Sequence, residues 1–137
     1  RFEITEGLLM EDSEFAQARI REFQDAGFLF SLDDFGTGYS SLSYLKKFPL
    51  DVLKIDKSFI NGIAENDDDR AVALAIIRMA SAMGLQVVAE GVETEAQLAV
   101  LKEESCEIVQ GYYLYKPKGS NQLTDMLTSR PSNALAE

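Results

Sequence analysis

The chain has 137 residues, which suits one domain of moderate size. Thirteen Lys and Arg residues against twenty-three Asp and Glu residues give a net charge of −10, which argues against binding to a nucleic-acid polymer. A single cysteine, Cys106, excludes an internal disulfide, and the absence of histidine excludes an imidazole base and an ordinary zinc site.

Strand-like and helix-like segments alternate along the chain. The first strand is predicted at RFEIT (1–5), and a helix is predicted to follow Ser13 as N-cap and to end at Gly27 as C-cap. Further strands are predicted at FLFSLDD (28–34), LDVLKID (50–56), LQVVAEG (85–91) and CEIVQGYY (106–113). Helices or helical turns are predicted at 39–49, 57–66, 67–84, 94–105 and 120–129, with Thr94 and Gln97 forming a capping box. This alternation predicts a parallel α/β architecture.

Polar residues lie in or at the end of each predicted strand. They are Glu3, Asp33 and Asp34, Lys54 and Asp56, Glu90, and Gln110. Because the carboxyl ends of parallel strands form the active face of an α/β fold, these groups are expected to meet on one rim. Each interval between these residues leaves room for one crossover helix, and this spacing is typical of a barrel.

This set of groups predicts a site for divalent metal. Carboxylate and amide oxygens, without histidine or thiolate, suit Mg²⁺ or Mn²⁺. Asp33 and Asp34 could then share two ions about 3.5–4 Å apart, an arrangement that activates water for in-line displacement at phosphorus. Lys54 would orient the water or neutralise charge on the phosphoryl oxygens, and Gly36 and Gly38 would let the following loop turn sharply.

Each residue taken singly also has a structural interpretation. Asp33 or Asp34 could be a helix N-cap, and Lys54 a surface lysine with a buried stem. The Phe and Tyr residues are predicted to belong to the core, and Cys106 to be a buried apolar residue without a redox role. The convergence of five strands on complementary groups favours a functional site.

Three long motifs resemble the EAL family of cyclic di-GMP phosphodiesterases. They are DDFGTGYSSLSYLKKFPLDVLKIDKSFI (33–60), VVAEGVET (87–94) and VQGYYLYKP (109–117), and FEITEG (2–7) resembles the E-x-T-E segment of that family. The resemblance extends to about residue 127. It implies a TIM-like (β/α)8 barrel that hydrolyses cyclic di-GMP, a bacterial second messenger, to linear pGpG.

The resemblance also implies a role for each matching residue. Metal ligands would be Glu3, Asp33, Asp34 and Glu90; catalytic groups would be Lys54, which positions the attacking water, Glu90, and Gln110, which contacts water or metal. Glu93 would support the second metal, and Glu6 would anchor the loop 34–42. That loop, including Phe35, Gly36, Thr37 and Gly38, couples dimer contacts to metal binding in such enzymes. One departure is Glu107, where the family usually has aspartate.

By this resemblance, residues 1–128 form the C-terminal portion, roughly half, of an EAL domain, with about five parallel strands alternating with helices, and 129–137 form a frayed tail. The Glu-Ala-Leu triplet and an asparagine ligand would lie upstream of Arg1. We therefore expect the chain alone to be inactive and to associate with a second copy or with another part of its parent protein.

Cofactors and context follow from the same resemblance. Two Mg²⁺ or Mn²⁺ ions are expected, with Ca²⁺ as a candidate inhibitor. The expected location is cytoplasmic, because no apolar run reaches the about 18 residues of a membrane span and no secretory signal is recognisable. GGDEF, sensory or membrane modules could precede the domain in the parent.

Two other functions stay open at this point. A catalytically degenerate EAL domain would bind cyclic di-GMP as a receptor without hydrolysing it. A phospho-receiver domain would use Asp33, Asp34, Asp56 and the Lys116-Pro117 pair. The receiver alternative is disfavoured. A receiver needs two helices and an extra strand between its acidic pair and its phosphorylated aspartate, whereas the interval from Asp34 to Asp56 accommodates only one short helix.

Overall fold

Five parallel strands form a single sheet in which each strand pairs with the next one along the chain. The computed structural model describes residues 1–5, 7, 13–36 and 45–129. Its strands are β1 Phe2–Thr5, β2 Phe30–Phe35, β3 Val52–Ile55, β4 Gln86–Glu90 and β5 Ile108–Gln110. Its helices are α1 Ser13–Asp25, α2 Lys57–Ile60, α3 Asp67–Ala82, α4 Glu95–Glu103 and α5 Ser120–Ser129. The prediction of about five parallel strands alternating with helices is confirmed.

The register of the sheet aligns the carboxyl ends of its strands. Thr5 pairs with Asp33, and Glu90 pairs with Gln110. The pairing of β2 with β3 is irregular, since the register shifts between Leu32 and Phe35. Within this bulge, Asp34 adopts a left-handed backbone conformation with φ of 54°.

The core lies on both faces of the central strand. All four residues of β3 are buried, and Leu53 and Ile55 are fully so. Helix α3 packs Ala73, Ile77 and Ala80 into the same core. A parallel strand covered on both faces is normally a continuous apolar run. In VLKI that run is interrupted by Lys54, which makes this side chain the exception to be explained.

Several predicted helix ends are confirmed. Thr94 and Gln97 form the complete capping box of α4, and Gly27, with φ of 88°, lies two residues beyond α1. Helix α1 begins at Ser13 itself, which was predicted to precede the helix. The N-cap of α3 is Asn66, whose side chain accepts hydrogen bonds from two backbone amides. Most of the helix predicted at 39–49, and nearly all of the tail 129–137, lie outside the described residues.

The prediction that the Phe and Tyr residues form the core is wrong for seven of the eleven that the structure describes, because those seven are exposed. Phe30, Phe35 and Phe48 are buried. In contrast, Phe2, Phe23 and Phe28 are each almost half exposed, although their rings pack 5.3–6.0 Å apart. Tyr112, Tyr113 and Tyr115 are also exposed. The two groups lie near β1 and after β5, the outer strands of the sheet, where fewer described elements cover them. No described helix is long and apolar enough to cross a membrane.

Candidate functional site

Lys54 lies at the centre of a cluster of acidic residues near the carboxyl ends of the strands. Its Nζ atom is 2.8 Å from a carboxylate oxygen of Asp33 on β2, 2.8 Å from one of Glu90 on β4, and 3.2 Å from one of Glu3 on β1. The lysine itself is only 6% exposed. Four neighbouring strands therefore direct charged groups to one point, as the sequence predicted.

The environment of Lys54 keeps it protonated. Burial alone would lower the pKa of the ammonium group, but hydrogen bonds to Asp33, Glu90 and Glu3 outweigh that effect and raise the pKa well above its ordinary value. The interpretation of Lys54 as a surface lysine is thus wrong. Its charge is buried because carboxylates from three other strands compensate it, which no single stretch of sequence reveals.

Asp33, Asp34 and Glu90 form the group best suited to a metal ion. Each offers one carboxylate oxygen, and the three oxygens lie within 4.8 Å of one another. Asp33 and Glu90 are partly buried, whereas Asp34 is exposed. A set of carboxylate oxygens without nitrogen or sulfur fits Mg²⁺ or Mn²⁺. Glu3, the fourth predicted ligand, is not part of this group and is connected to it through Lys54.

Gln110 and Glu93 border a cleft that also includes Glu90. This cleft has a volume of about 270 Å³. Its lining comprises Asp56, Lys57, Glu90, Gly91, Glu93, Gln110, Gly111 and Tyr112. The structure thus brings the predicted catalytic glutamine and the predicted supporting glutamate to the same opening.

Asp56 lines this cleft at the end of β3 and also caps the helix that follows. Its carboxylate accepts a hydrogen bond of 2.9 Å from the backbone amide of Ser58 and so caps the short helix α2. Hydrogen bonds from the side chain of Ser58 and from this backbone amide lower the pKa of Asp56. The residue therefore fixes the direction of the chain as it leaves β3.

The beginning of the predicted coupling loop is closely packed. Phe35 is buried at the end of β2, and Gly36 follows with φ of 96°. A Cβ atom at Gly36 would lie 2.7 Å from the ring of Phe59. The position therefore requires glycine for both conformation and space. Glu6, Thr37 and Gly38, the other residues predicted for this device, lie outside the described residues.

Cys106 is buried, as the sequence predicted. The thiol is buried, and desolvation raises its pKa, so it is a poor nucleophile at neutral pH. Cys106 belongs to the hydrophobic core, and its backbone amide donates a hydrogen bond to the carbonyl of Leu101 in α4.

Comparison with known proteins identifies the family. The model of the EAL domain matches residues 1–117. The cyclic di-GMP phosphodiesterase NbdA of Pseudomonas aeruginosa is 50% identical over 115 residues, which are 84% of this chain and 15% of NbdA. The chain thus spans less than a fifth of that relative.

Solved structures agree in sequence and in fold. The MucR phosphodiesterase of P. aeruginosa in complex with c-di-GMP is 44% identical with a TM-score of 0.81, over 88% of this chain and 49% of that one. A manganese and cyclic di-GMP complex of Klebsiella pneumoniae BlrP1 is 31% identical with a TM-score of 0.74, over 81% of this chain and 28% of that one. From its sequence, its parallel sheet and its acidic rim, the chain belongs to the EAL domain family.

Proposed function

We propose that residues 1–128 are the C-terminal part of an EAL domain, and that the complete domain hydrolyses cyclic di-GMP to linear pGpG. The observation that carries this proposal is the shared ammonium of Lys54, bound by carboxylates of Glu3, Asp33 and Glu90 beside the oxygen of Asp34. The names of NbdA and MucR, which are cyclic di-GMP phosphodiesterases, agree with the chemistry of this rim.

The acidic side chains give the rim an excess of negative charge. The four carboxylates of Glu3, Asp33, Asp34 and Glu90 carry −4 and Lys54 carries +1, which leaves −3. Such a site attracts divalent cations and needs them before it can accept a phosphodiester.

We assign metal binding to the carboxylates of this rim. Asp33, Asp34 and Glu90 would hold the first Mg²⁺ or Mn²⁺ ion, with Glu3 completing the ligand set and Glu93 supporting a second ion. When bound, these ions withdraw charge from the phosphoryl oxygens and make water acidic enough to attack at neutral pH. Ca²⁺ would occupy the same oxygens and inhibit.

Lys54 and Gln110 act on the reacting groups directly. Of the three N–H groups of the Lys54 ammonium, two are held by Asp33 and Glu90 at 2.8 Å, and the third, which contacts Glu3 at 3.2 Å, would turn to the attacking water or to a phosphoryl oxygen once Glu3 binds metal. The Gln110 amide, across the sheet register from Glu90, can accept a hydrogen bond from the same water through its oxygen. Asp33 and Glu90 hold the lysine in place during turnover.

We further propose that the chain alone hydrolyses little or nothing. In the family, the glutamate of the Glu-Ala-Leu triplet and an asparagine complete the ligand set, and the resemblance places both upstream of Arg1. The exposed aromatic rings of Phe2, Phe23 and Phe28 beside the edge strand β1 favour association with a second copy or with the remainder of a larger protein.

The test compares this chain with a version extended upstream to a complete EAL domain. Hydrolysis of cyclic di-GMP with Mg²⁺ or Mn²⁺ is followed by chromatography of pGpG. Turnover is expected in the extended protein and not in the chain alone. Binding of cyclic di-GMP without turnover would identify a receptor instead and would overturn the phosphodiesterase proposal.

Two variants of the extended protein test the roles within the site. Asp33→Asn should abolish turnover, because it removes a carboxylate that contacts Lys54 and faces the metal position. Lys54→Ala should retain Mn²⁺ binding and lower kcat. Asp68→Asn, which changes an exposed carboxylate at the start of α3, is the matched control and should keep full activity. Normal turnover in either site variant would contradict the mechanism.

A further inference from the structure

Gln97 is a buried polar residue whose contacts exceed what helix capping needs. It lies in the first turn of α4 and is 6% exposed. Its Oε1 atom accepts hydrogen bonds from the backbone amides of Glu93 at 2.8 Å and Thr94 at 3.0 Å. Its Nε2 atom donates a hydrogen bond of 3.2 Å to the backbone carbonyl of Asn61. Both ends of the amide are thus used.

A capping box accounts for only part of this pattern. In that motif the N3 side chain accepts a hydrogen bond from the N-cap amide, and Glu serves as well as Gln. The bond to the carbonyl of Asn61 is different, because it needs a donor that glutamate lacks. Asn61 is 36 residues away and directly follows α2, where its own amide donates to the carbonyl of Lys57 at 2.9 Å.

The two segments that Gln97 joins both contribute residues to the lining of the 270 Å³ cleft. One segment, between β4 and α4, carries Glu93. The other, after β3, carries Asp56 and Lys57. Glu93 itself is exposed, so its position depends on the backbone that carries it. The buried amide therefore ties together two segments that line the cleft beside Glu90, without lining the cleft itself.

We propose that Gln97 is a positioning residue, whose side-chain amide holds the loop bearing Glu93 against the segment that follows β3 and thereby sets Glu93 for metal binding. This inference rests on the proposed function, because it takes Glu93 to act at the metal site. Outer groups of this kind commonly change metal affinity or activity about 10–100-fold when they are replaced.

The experiment is a double-mutant cycle in the complete EAL domain containing this chain. It compares the wild type, Gln97→Glu, Glu93→Gln and the double variant. Gln97→Glu keeps an acceptor for the capping box but loses the donor to Asn61. Gln97→Met, which lacks all three hydrogen bonds but has a similar size, serves if the buried carboxylate prevents folding. Mn²⁺ affinity is measured by titration calorimetry without substrate, and kcat and KM for cyclic di-GMP are measured separately.

A stability-matched control separates positioning from folding. Asn66→Ala removes the N-cap of α3, which lies outside the cleft, and should lower Tm with unchanged Mn²⁺ affinity and kcat. Gln97→Glu should lower Mn²⁺ affinity and kcat about 10-fold with little change in KM. In the Glu93→Gln background, the same substitution should change Mn²⁺ affinity less than about twofold, because its effect passes through Glu93.

Every outcome of the double-mutant cycle either supports or contradicts the positioning role of Gln97. Wild-type affinity and kcat in the Gln97 variants, or effects that multiply fully with those of Glu93→Gln, would overturn the positioning role. If the wild type binds Mn²⁺ but does not turn over, the proposed function fails, while the affinities still decide the role of Gln97. If the complete domain binds no Mn²⁺, both proposals fail.

Discussion

Replacing Lys54 with methionine removes a buried cation while keeping an unbranched apolar stem of similar length. Three carboxylates, those of Glu3, Asp33 and Glu90, then face one another without the ammonium between them. Because the side chain of Lys54 is 7% exposed, water cannot simply replace it. The variant should therefore be destabilised by electrostatic repulsion and by loss of charged hydrogen bonds.

The size of this effect follows from the burial of the three partners. Hydrogen bonds to charged groups contribute about 1.5–3 kcal/mol each, and removing one partner of a buried ion pair costs about 3–5 kcal/mol. Asp33 and Glu90 are 24% and 18% exposed, so their two bonds of 2.8 Å count most. Glu3 is 48% exposed at 3.2 Å and contributes little. The variant should lose about 3 kcal/mol.

Urea unfolding at pH 7 measures this loss, with EDTA and then with Mg²⁺. The difference between wild type and Lys54→Met should be largest in EDTA and smaller with Mg²⁺, because the metal supplies the missing positive charge. Lys102→Met, at an exposed lysine of α4, is the control and should stay within about 0.5 kcal/mol of wild type. Equal stability of wild type and Lys54→Met in EDTA would refute the reasoning.

The pH dependence of this contribution has a defined sign. The pKa of Lys54 is raised above its ordinary value of 10.5 in the folded protein. The stabilisation should therefore be complete below pH 10.5 and should be lost as the pH rises through the raised pKa. Lys54→Met should lack this alkaline transition in an unfolding series.

Gly36→Val should destabilise the protein by about 2 kcal/mol in urea, since φ is 96° and the new Cβ would lie 2.7 Å from the Phe59 ring; unchanged stability would contradict the packing. Asp51→Ala should cost about 1–2 kcal/mol, because the carboxylate accepts a 2.8 Å hydrogen bond from the Phe30 amide. Faster hydrogen exchange at that amide checks this, and wild-type protection would disprove it. Asp56→Ala should cost about 1 kcal/mol at pH 7 through loss of the α2 cap. Since the folded pKa of Asp56 is lowered, this difference should disappear as the pH falls below the ordinary value of 3.8, and a constant difference would exclude the cap.

The strands and several helix ends were predictable from local sequence patterns. Apolar runs followed by helical spacing located all five strands, and the Thr94 and Gln97 pair identified the start of α4, because both signals depend on neighbouring residues alone. The meeting of Asp33, Lys54 and Glu90 followed from strand direction, since parallel strands bring their carboxyl ends together.

Features that depend on distant partners were not predictable. The burial of Lys54 needs carboxylates from three other strands, and the bond from Gln97 to Asn61 spans 36 residues. The exposure of Phe2 and Tyr112 depends on what lies beside the outer strands, which no local pattern states. The left-handed conformation of Asp34 lies where the pairing with β3 shifts register, and no local pattern indicated it, because aspartate adopts this conformation only occasionally.

The irregular pairing at the end of β2 explains how two consecutive aspartates can bring their carboxylate oxygens close together. In a regular strand, adjacent side chains point to opposite faces, so one carboxylate of such a pair would be turned away from the other. The left-handed turn at Asp34 breaks this alternation, and an oxygen of each aspartate comes within 4.8 Å of the other. The two carboxylates of the Asp33-Asp34 dipeptide thus come together only because of its distorted backbone. In an undistorted strand, the side chains of two consecutive aspartates would point to opposite faces of the sheet.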